Sequence, residues 1–300
     1  MQLRFEDVEK YINVLKLTVD EVPFCLVINV DESGIQCYQD GVRKNFLIPA
    51  SVANDVSCYG VDRAEGRISV CAGITLSGEC VRPLICTKSQ VSNEELLSLG
   101  VQQHLHGLVR YSKSGNLNGD LFLEWISECL IPFVTAKRIE IKQRNARAIL
   151  LTDNCSIHTI DEVKEMLGQA NIAMLSFPAD STQYFQPLDC LSFSVLKRSI
   201  QNGRGARTKL TPAEGVLDAV DALQKATTIK TTQAAWRLAG IDFALDHGKL
   251  VAKVVAESFQ SIIKKLKADN TITSSHRPAP KRASTKKPFG HLNEEYIKKK

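Results

Sequence analysis

Two long apolar runs in this chain stop abruptly on acidic residues. "VPFCLVINVDESG", residues 22–34, is almost continuously apolar until Asp31-Glu32, with Ser33-Gly34 read as the following turn. "AILLTDN", residues 148–154, repeats the pattern and ends on Asp153-Asn154. Both predict buried strands. Between them, residues 56–87 hold three β-rich runs separated by the turn signals Arg63-Ala64-Glu65-Gly66 and Leu76-Ser77-Gly78-Glu79, the pattern of an antiparallel meander. Residues 2–20 read as an amphipathic helix. Asn118-Gly119 opens another, in which Leu121, Trp125, Ile126 and Leu130 share one face. After the second run, "TIDEVKEMLGQ" reads as a helix closed near Gly168 and "NIAMLSFP" as a strand, so a right-handed parallel crossover is expected.

A polar loop, "ADSTQYFQPL", leads into the helical "DCLSFSVLKRSI", with Asp189 at or near its start. Thr211-Pro212-Ala213-Glu214 forms a capping box with Pro at the first helical position. Residues 231–241 predict a short helix ending at Gly240, whose Trp236 and Leu238 read as docking residues rather than as part of a helix-turn-helix. The order describes an α/β fold with a mixed central sheet, an antiparallel meander plus parallel strands, flanked by helices. Its expected parts are an N-terminal helix (1–21), the α/β domain (22–241), a C-terminal helix (242–265) and a basic disordered tail (266–300).

Composition changes this picture in two places. The total charge of +5 is unevenly spread: residues 264–300 carry eleven Lys/Arg against three acids, net +8, leaving the rest at −3. The body is therefore not globally basic. The Pro-rich, basic stretch 276–291 is expected to be disordered, with nuclear localisation or nonspecific DNA contact as its candidate roles. Nine cysteines stand singly, without C-x-x-C or zinc spacing. With no export signal and no apolar run long enough for a membrane span, they read as reduced thiols of a cytosolic or nuclear protein.

The acids at the two strand ends carry the chemistry. Were the strands neighbours, Asp31 and Asp153 would lie side by side and repel. A divalent cation resolves this, because carboxylate oxygens suit Mg²⁺ or Mn²⁺. Asp189 follows Asp153 after one crossover and a loop, so the chain can return it to the same sheet edge. An Asx turn or a helix cap explains any one of these aspartates singly. Jointly they point to two ions shared with a phosphodiester substrate.

"INVDESGI", "LLTDNCSIH" and "LSFPADSTQYFQPLD" resemble the three blocks of DDE-type transposases of the pogo/Tigger branch of the mariner superfamily, which includes jerky-like and centromere-protein-B-like proteins. "GRISVCAGITLSGECVRPLIC" resembles the family's central hairpin and "SGNLNGDLFLEWISECLIPFV" its stretch before the second aspartate. The resemblance covers roughly residues 22–241. It implies an RNase H-like fold, a metal-binding catalytic triad of Asp31, Asp153 and Asp189, two Mg²⁺ or Mn²⁺ ions, and cleavage and strand transfer of double-stranded DNA. A nuclear protein with no membrane association, and a homodimer as one assembly, are expected with it. Asp180, in "PADST", is the lesser rival for the third position. Family members carry N-terminal helix-turn-helix domains, whereas about 21 residues precede the first strand here. A fragment, a decayed copy and a domesticated gene are the open alternatives. A non-catalytic DNA- or partner-binding module stands as the second reading. A generic metal phosphohydrolase is the third, without a Gly-rich phosphate loop to support it.

Around the triad, Asn154 and His158 are candidate DNA or phosphate contacts, as are Lys197, Arg198, Arg204 and Arg207 in the basic run that also contains Lys209. Glu32 alternates to the opposite face from Asp31 and reads as a supporting residue. Phe185 reads as loop packing rather than as a base-stacking platform.

Overall fold

The run Ala148–Thr152 is buried along its whole length, as a strand covered on both faces must be. In the computed structural model, which describes residues 5–36, 67–204, 210–246, 249–254 and 264, this is strand β5 of a six-stranded mixed sheet. The other strands are β1 (Val27–Gln36), β2 (Arg67–Thr75), β3 (Cys80–Thr87), β4 (Leu108–Tyr111) and β6 (Ile172–Ser176), in the order β4-β3-β2-β1-β5-β6. β1, β2 and β3 pair antiparallel, while β5 runs parallel to both β1 and β6. This is the RNase H-like arrangement, with the short β4 added in parallel at the β3 edge.

Two helical layers cover the sheet. On one face, Ile35, Val70, Ala72, Ile74 and Ile85 pack against Leu188, Phe193, Leu196 and Ile200, and against Val216, Ala219 and Leu223. These come from α8 (Phe193–Arg204), the turn before it, and α9 (Pro212–Ala226), which starts on the expected capping box of Thr211 and Glu214. Next comes α10 (Ile229–Leu238), whose Trp236 is buried and donates its indole N–H to the Thr75 carbonyl at 2.9 Å. The docking role expected of Trp236 is thus met, whereas Leu238 is exposed.

The opposite face carries α4 (Gly119–Trp125) and α5 (Ile131–Glu140), joined through a π-helical turn, Ile126–Leu130. Phe122 lies in the core with Trp125, Ile126, Cys129 and Leu130, while Leu121, one position round the helix, only borders it. Gly73 on β2 makes room for Trp125, because a Cβ there would come within 3.2 Å of the indole. Shorter helices are α2 (Asn93–Ser98), α3 (Gln103–His106), α6 (Asp161–Gln169) in the β5–β6 crossover, and α7 (Thr182–Phe185). The N-terminal helix α1 (Phe5–Glu21) lays Tyr11 against Phe177 and Phe185, at ring separations of 5.7 and 5.3 Å. Phe185 is therefore a packing residue, as expected. No described helix is long and apolar enough to cross a membrane.

Three expectations need correction. β1 does not end at Asp31 or turn at Ser33-Gly34; it continues to Gln36, paired with β2 throughout. Gly34 sits inside the strand, paired with Ser69, with the Arg67 side chain lying over it. Residues 242–254 are not helical: β7 (Ile241–Asp246) and β8 (Lys249–Val254) form an antiparallel hairpin. Its strands are two short apolar runs (Phe243, Ala244, Leu245 and Leu250, Val251, Ala252), each bounded by polar residues, too short for a helical stripe. The first β-rich run of 56–87, the Arg63–Gly66 turn and the tail from 266 onward lie outside the described residues. A first compact unit spans residues 1–259, and residues 260–300 form a second, of which only Lys264 is described.

Candidate active site

β1 and β5 are paired only as far as Asn29 opposite Leu151. Beyond that point they part, and the same register carried two residues on sets Asp31 abreast of Asp153. Strand alternation turns Asp31, which lies opposite Ala72 on β2, toward the α8–α9 layer. There a second π-helical turn, Leu188–Ser192, precedes α8 and carries Asp189. The Asp31 and Asp189 carboxyl groups meet within hydrogen-bonding reach, and Asp153 is near enough for its charge to act on both. Asp180, by contrast, is exposed in a left-handed turn conformation, φ 58°.

Crowding of acids shows in their protonation. Asp31 is held well above the usual carboxylate range, first by burial, then by the charges of Asp189 and Glu32. Asp189 is also raised by burial, against which the nearby Lys197 ammonium acts. Asp153 goes the other way: burial pushes it up, but the His158 hydrogen bond and the Cys155 backbone N–H, 2.9 Å from its Oδ1, bring it below the ordinary value.

His158 is completely buried, which corrects its expected role as a DNA contact, since no part of the ring reaches the surface. Its Nδ1 lies 2.8 Å from Asp153 Oδ1 and 2.7 Å from Thr152 Oγ1, and its Nε2 lies 2.9 Å from Glu32 Oε1. Burial disfavours its charge, yet the two carboxylates outweigh burial and raise its pKa to about 10. Both ring nitrogens then donate. The imidazolium rests on the Phe122 ring, centroids 4.6 Å apart. Glu32 stands opposite Cys71, on the face away from Asp31, so His158 ties that face to the end of β5.

The other candidates fall into two groups. Asn154 donates to the Phe177 carbonyl at 2.9 Å, tying the loop after β5 to the end of β6. Lys197 and Arg198 are exposed on α8. Arg204 closes α8, and Arg207 and Lys209 lie outside the described residues. Sequence reasoning missed the Glu32–His158 pairing and Asn29. The two acids at adjacent β1 positions, facing opposite layers, were the available signal for the first. For Asn29 it was an amide inside an otherwise apolar run.

Donor chemistry suits a hard divalent cation: three carboxylates and no thiolate or imidazole directed with them. Among the described residues, however, no three His, Cys, Asp or Glu side chains stand as a ready-made metal cage. Asp31 and Asp189 meet directly, while Asp153 is turned toward His158. The residues fit the ions in chemical type, and a cation between Asp31 and Asp189 would offset the repulsion that, after burial, raises Asp31.

The fold and site together define an RNase H-like α/β domain with an acidic cluster at the split between β1 and β5. Residues 66–240 match the DDE superfamily endonuclease family, more than half of the chain, and the chain belongs to that family. The matched segment contains Asp153 and Asp189; Asp31 lies before it. Among solved structures the chain is similar to a pre-cleavage Mos1 transpososome (TM-score 0.55, 17% identity, 89% of this chain and 64% of that one). It is also similar to the mariner Mos1 paired-end complex with Mg (0.51, 17%, 79% and 61%) and to the Mos1 mariner paired-end complex with Mn (0.50, 18%, 80% and 60%). At these identities the likeness shows the fold. The chain spans about three fifths of the length of those transposase chains. No curated protein matches the sequence significantly.

Proposed function

We propose that this chain is the catalytic domain of a pogo/Tigger-type DDE transposase or a nuclease derived from one, cutting double-stranded DNA and joining the freed strand to a target. The observation that carries this reading is the meeting of Asp31 and Asp189 beside Asp153, acids from three separate stretches gathered at one strand split. Asp31, Asp153 and Asp189 would together hold the divalent cations. Mg²⁺ or Mn²⁺ held there would stabilise charge on the attacking and leaving oxygens of an in-line phosphodiester displacement.

The remaining side chains prepare the site. His158, fixed by Glu32, orients Asp153 and keeps it ionised. Lys197, close to Asp189, and Arg198 offer positive charge on the exposed side for backbone phosphates. Arg204 and Arg207 extend this basic run. The basic tail fits a nuclear protein, and a homodimer fits pairing of two DNA ends. Duplex cleavage in Mg²⁺ or Mn²⁺, comparing wild type with Asp153→Ala, tests the reading: the variant is expected to be inactive, and undiminished cutting overturns it.

One observation favours a non-catalytic, domesticated DNA- or partner-binding module: Asp153 is engaged by His158 and the three acids do not form a closed cage. Calorimetric titration with Mn²⁺ separates the readings. Binding that disappears in the aspartate variants supports catalysis, and no binding supports the module.

A further inference from the structure

Asn29 is a fully buried amide two residues before Asp31, at the last paired position of the β1–β5 ladder. Its side chain is spent on both neighbours of its strand. Nδ2 donates to the Leu151 carbonyl at 3.1 Å, with a longer contact of 3.4 Å to the Val30 carbonyl. Oδ1 accepts the backbone N–H of Leu188 at 3.1 Å. Leu151 stands two residues before Asp153, and Leu188 immediately precedes Asp189. One side chain therefore ties together the three backbone segments that carry the acids.

We propose that Asn29 is the positioning residue of the acidic cluster, a polar pin that fixes the β1–β5 split and the height of the Leu188–Ser192 turn above it. This rests on the metal-binding reading given above and goes beyond it by assigning the geometry of the cluster to a residue that touches no substrate. A buried amide is costly unless hydrogen-bonded, and an aliphatic residue would fill this interior position. The amide's two partners explain its presence. The pin also holds against a load: Asp31 and Asp189 repel when both are ionised, and that repulsion tends to lift the turn away from β1. Leu188 is anchored by its buried side chain as well, so losing the amide loosens the turn without releasing it.

The test uses the full chain and Asn29→Leu, of similar branching but bulkier and without donor or acceptor. Two readouts are needed besides a thermal melt: backbone amide exchange over residues 186–193 without metal, and Mn²⁺ affinity by calorimetry. Expected results are faster exchange confined to that turn and the end of β5, and Mn²⁺ affinity weaker by about 10–100-fold, the usual cost of losing support around metal ligands. DNA cleavage should lose kcat with little change in KM. Should Asn29→Leu fail to fold, Asn29→Ser, whose hydroxyl is too short to span both partners, replaces it with the same expectations. A folded variant with wild-type exchange over 186–193 and wild-type Mn²⁺ affinity overturns the proposal alone. Wild type that binds no Mn²⁺ overturns the metal reading and this proposal together.

Discussion

His158 Nε2 stands 2.9 Å from Glu32 Oε1 while the other ring nitrogen stands 2.8 Å from Asp153 Oδ1, so one buried imidazolium neutralises an acid on each side of it. Removing either partner unbalances the third.

Glu32→Gln keeps the shape of the contact but removes the charge that holds His158 protonated. Cleavage by this variant is expected to fall about 10–100-fold through kcat, with DNA affinity unchanged. Steady-state kinetics over a DNA concentration series would show it. An unchanged kcat would mean that the Glu32–His158 pairing does not serve the reaction.

The raised pKa of His158 sets a pH dependence. Between the unfolded value near 6.5 and the folded value of about 10, the folded protein holds a proton that the unfolded chain has released. Stability is therefore fully present below pH 6.5 and is lost as pH rises through about 10, with a slope of up to about 1.4 kcal/mol per pH unit. Urea unfolding in EDTA at several alkaline pH values is expected to show this decline, and His158→Gln to flatten it.

Asp31 illustrates the cost of gathering acids. A carboxyl whose folded pKa is raised stabilises at low pH and destabilises once ionised. Asp31→Asn should therefore raise the Tm of the metal-free protein near neutral pH while abolishing cleavage. Calorimetric melts beside cleavage assays would test this, and a lower Tm for Asp31→Asn than for wild type would contradict it.

Trp236 gives a test of packing. Its indole is buried and hydrogen-bonded to Thr75, so Trp236→Ala should cost about 3–5 kcal/mol, which urea unfolding would report.

Much of this was legible in the residues, for reasons that differ by element. β5 and the Thr211 capping box announced themselves through local rules, an unbroken apolar run and a fixed spacing of cap residues. The three aspartates stood out because each interrupts or follows an apolar segment. What stayed hidden depends on partners distant in sequence. Gly34 looked like a turn because the strand that continues through it is held by pairing with β2, distant in sequence. His158 read as a DNA or phosphate contact because both its acids arrive by folding. Asn29 carried no local sign of the two segments it joins. β7 and β8 were read as part of a helix over 242–265 although two short apolar runs, set apart by a glycine, are visible there.

The split between β1 and β5 also fixes when the acidic cluster comes into being during synthesis. Asp31 emerges early and Asp153 much later, and the cluster is incomplete until the turn at 188–192 has left the ribosome and settled onto the sheet. A half-made chain thus has the acids but not their gathering, which arrives only with the finished fold.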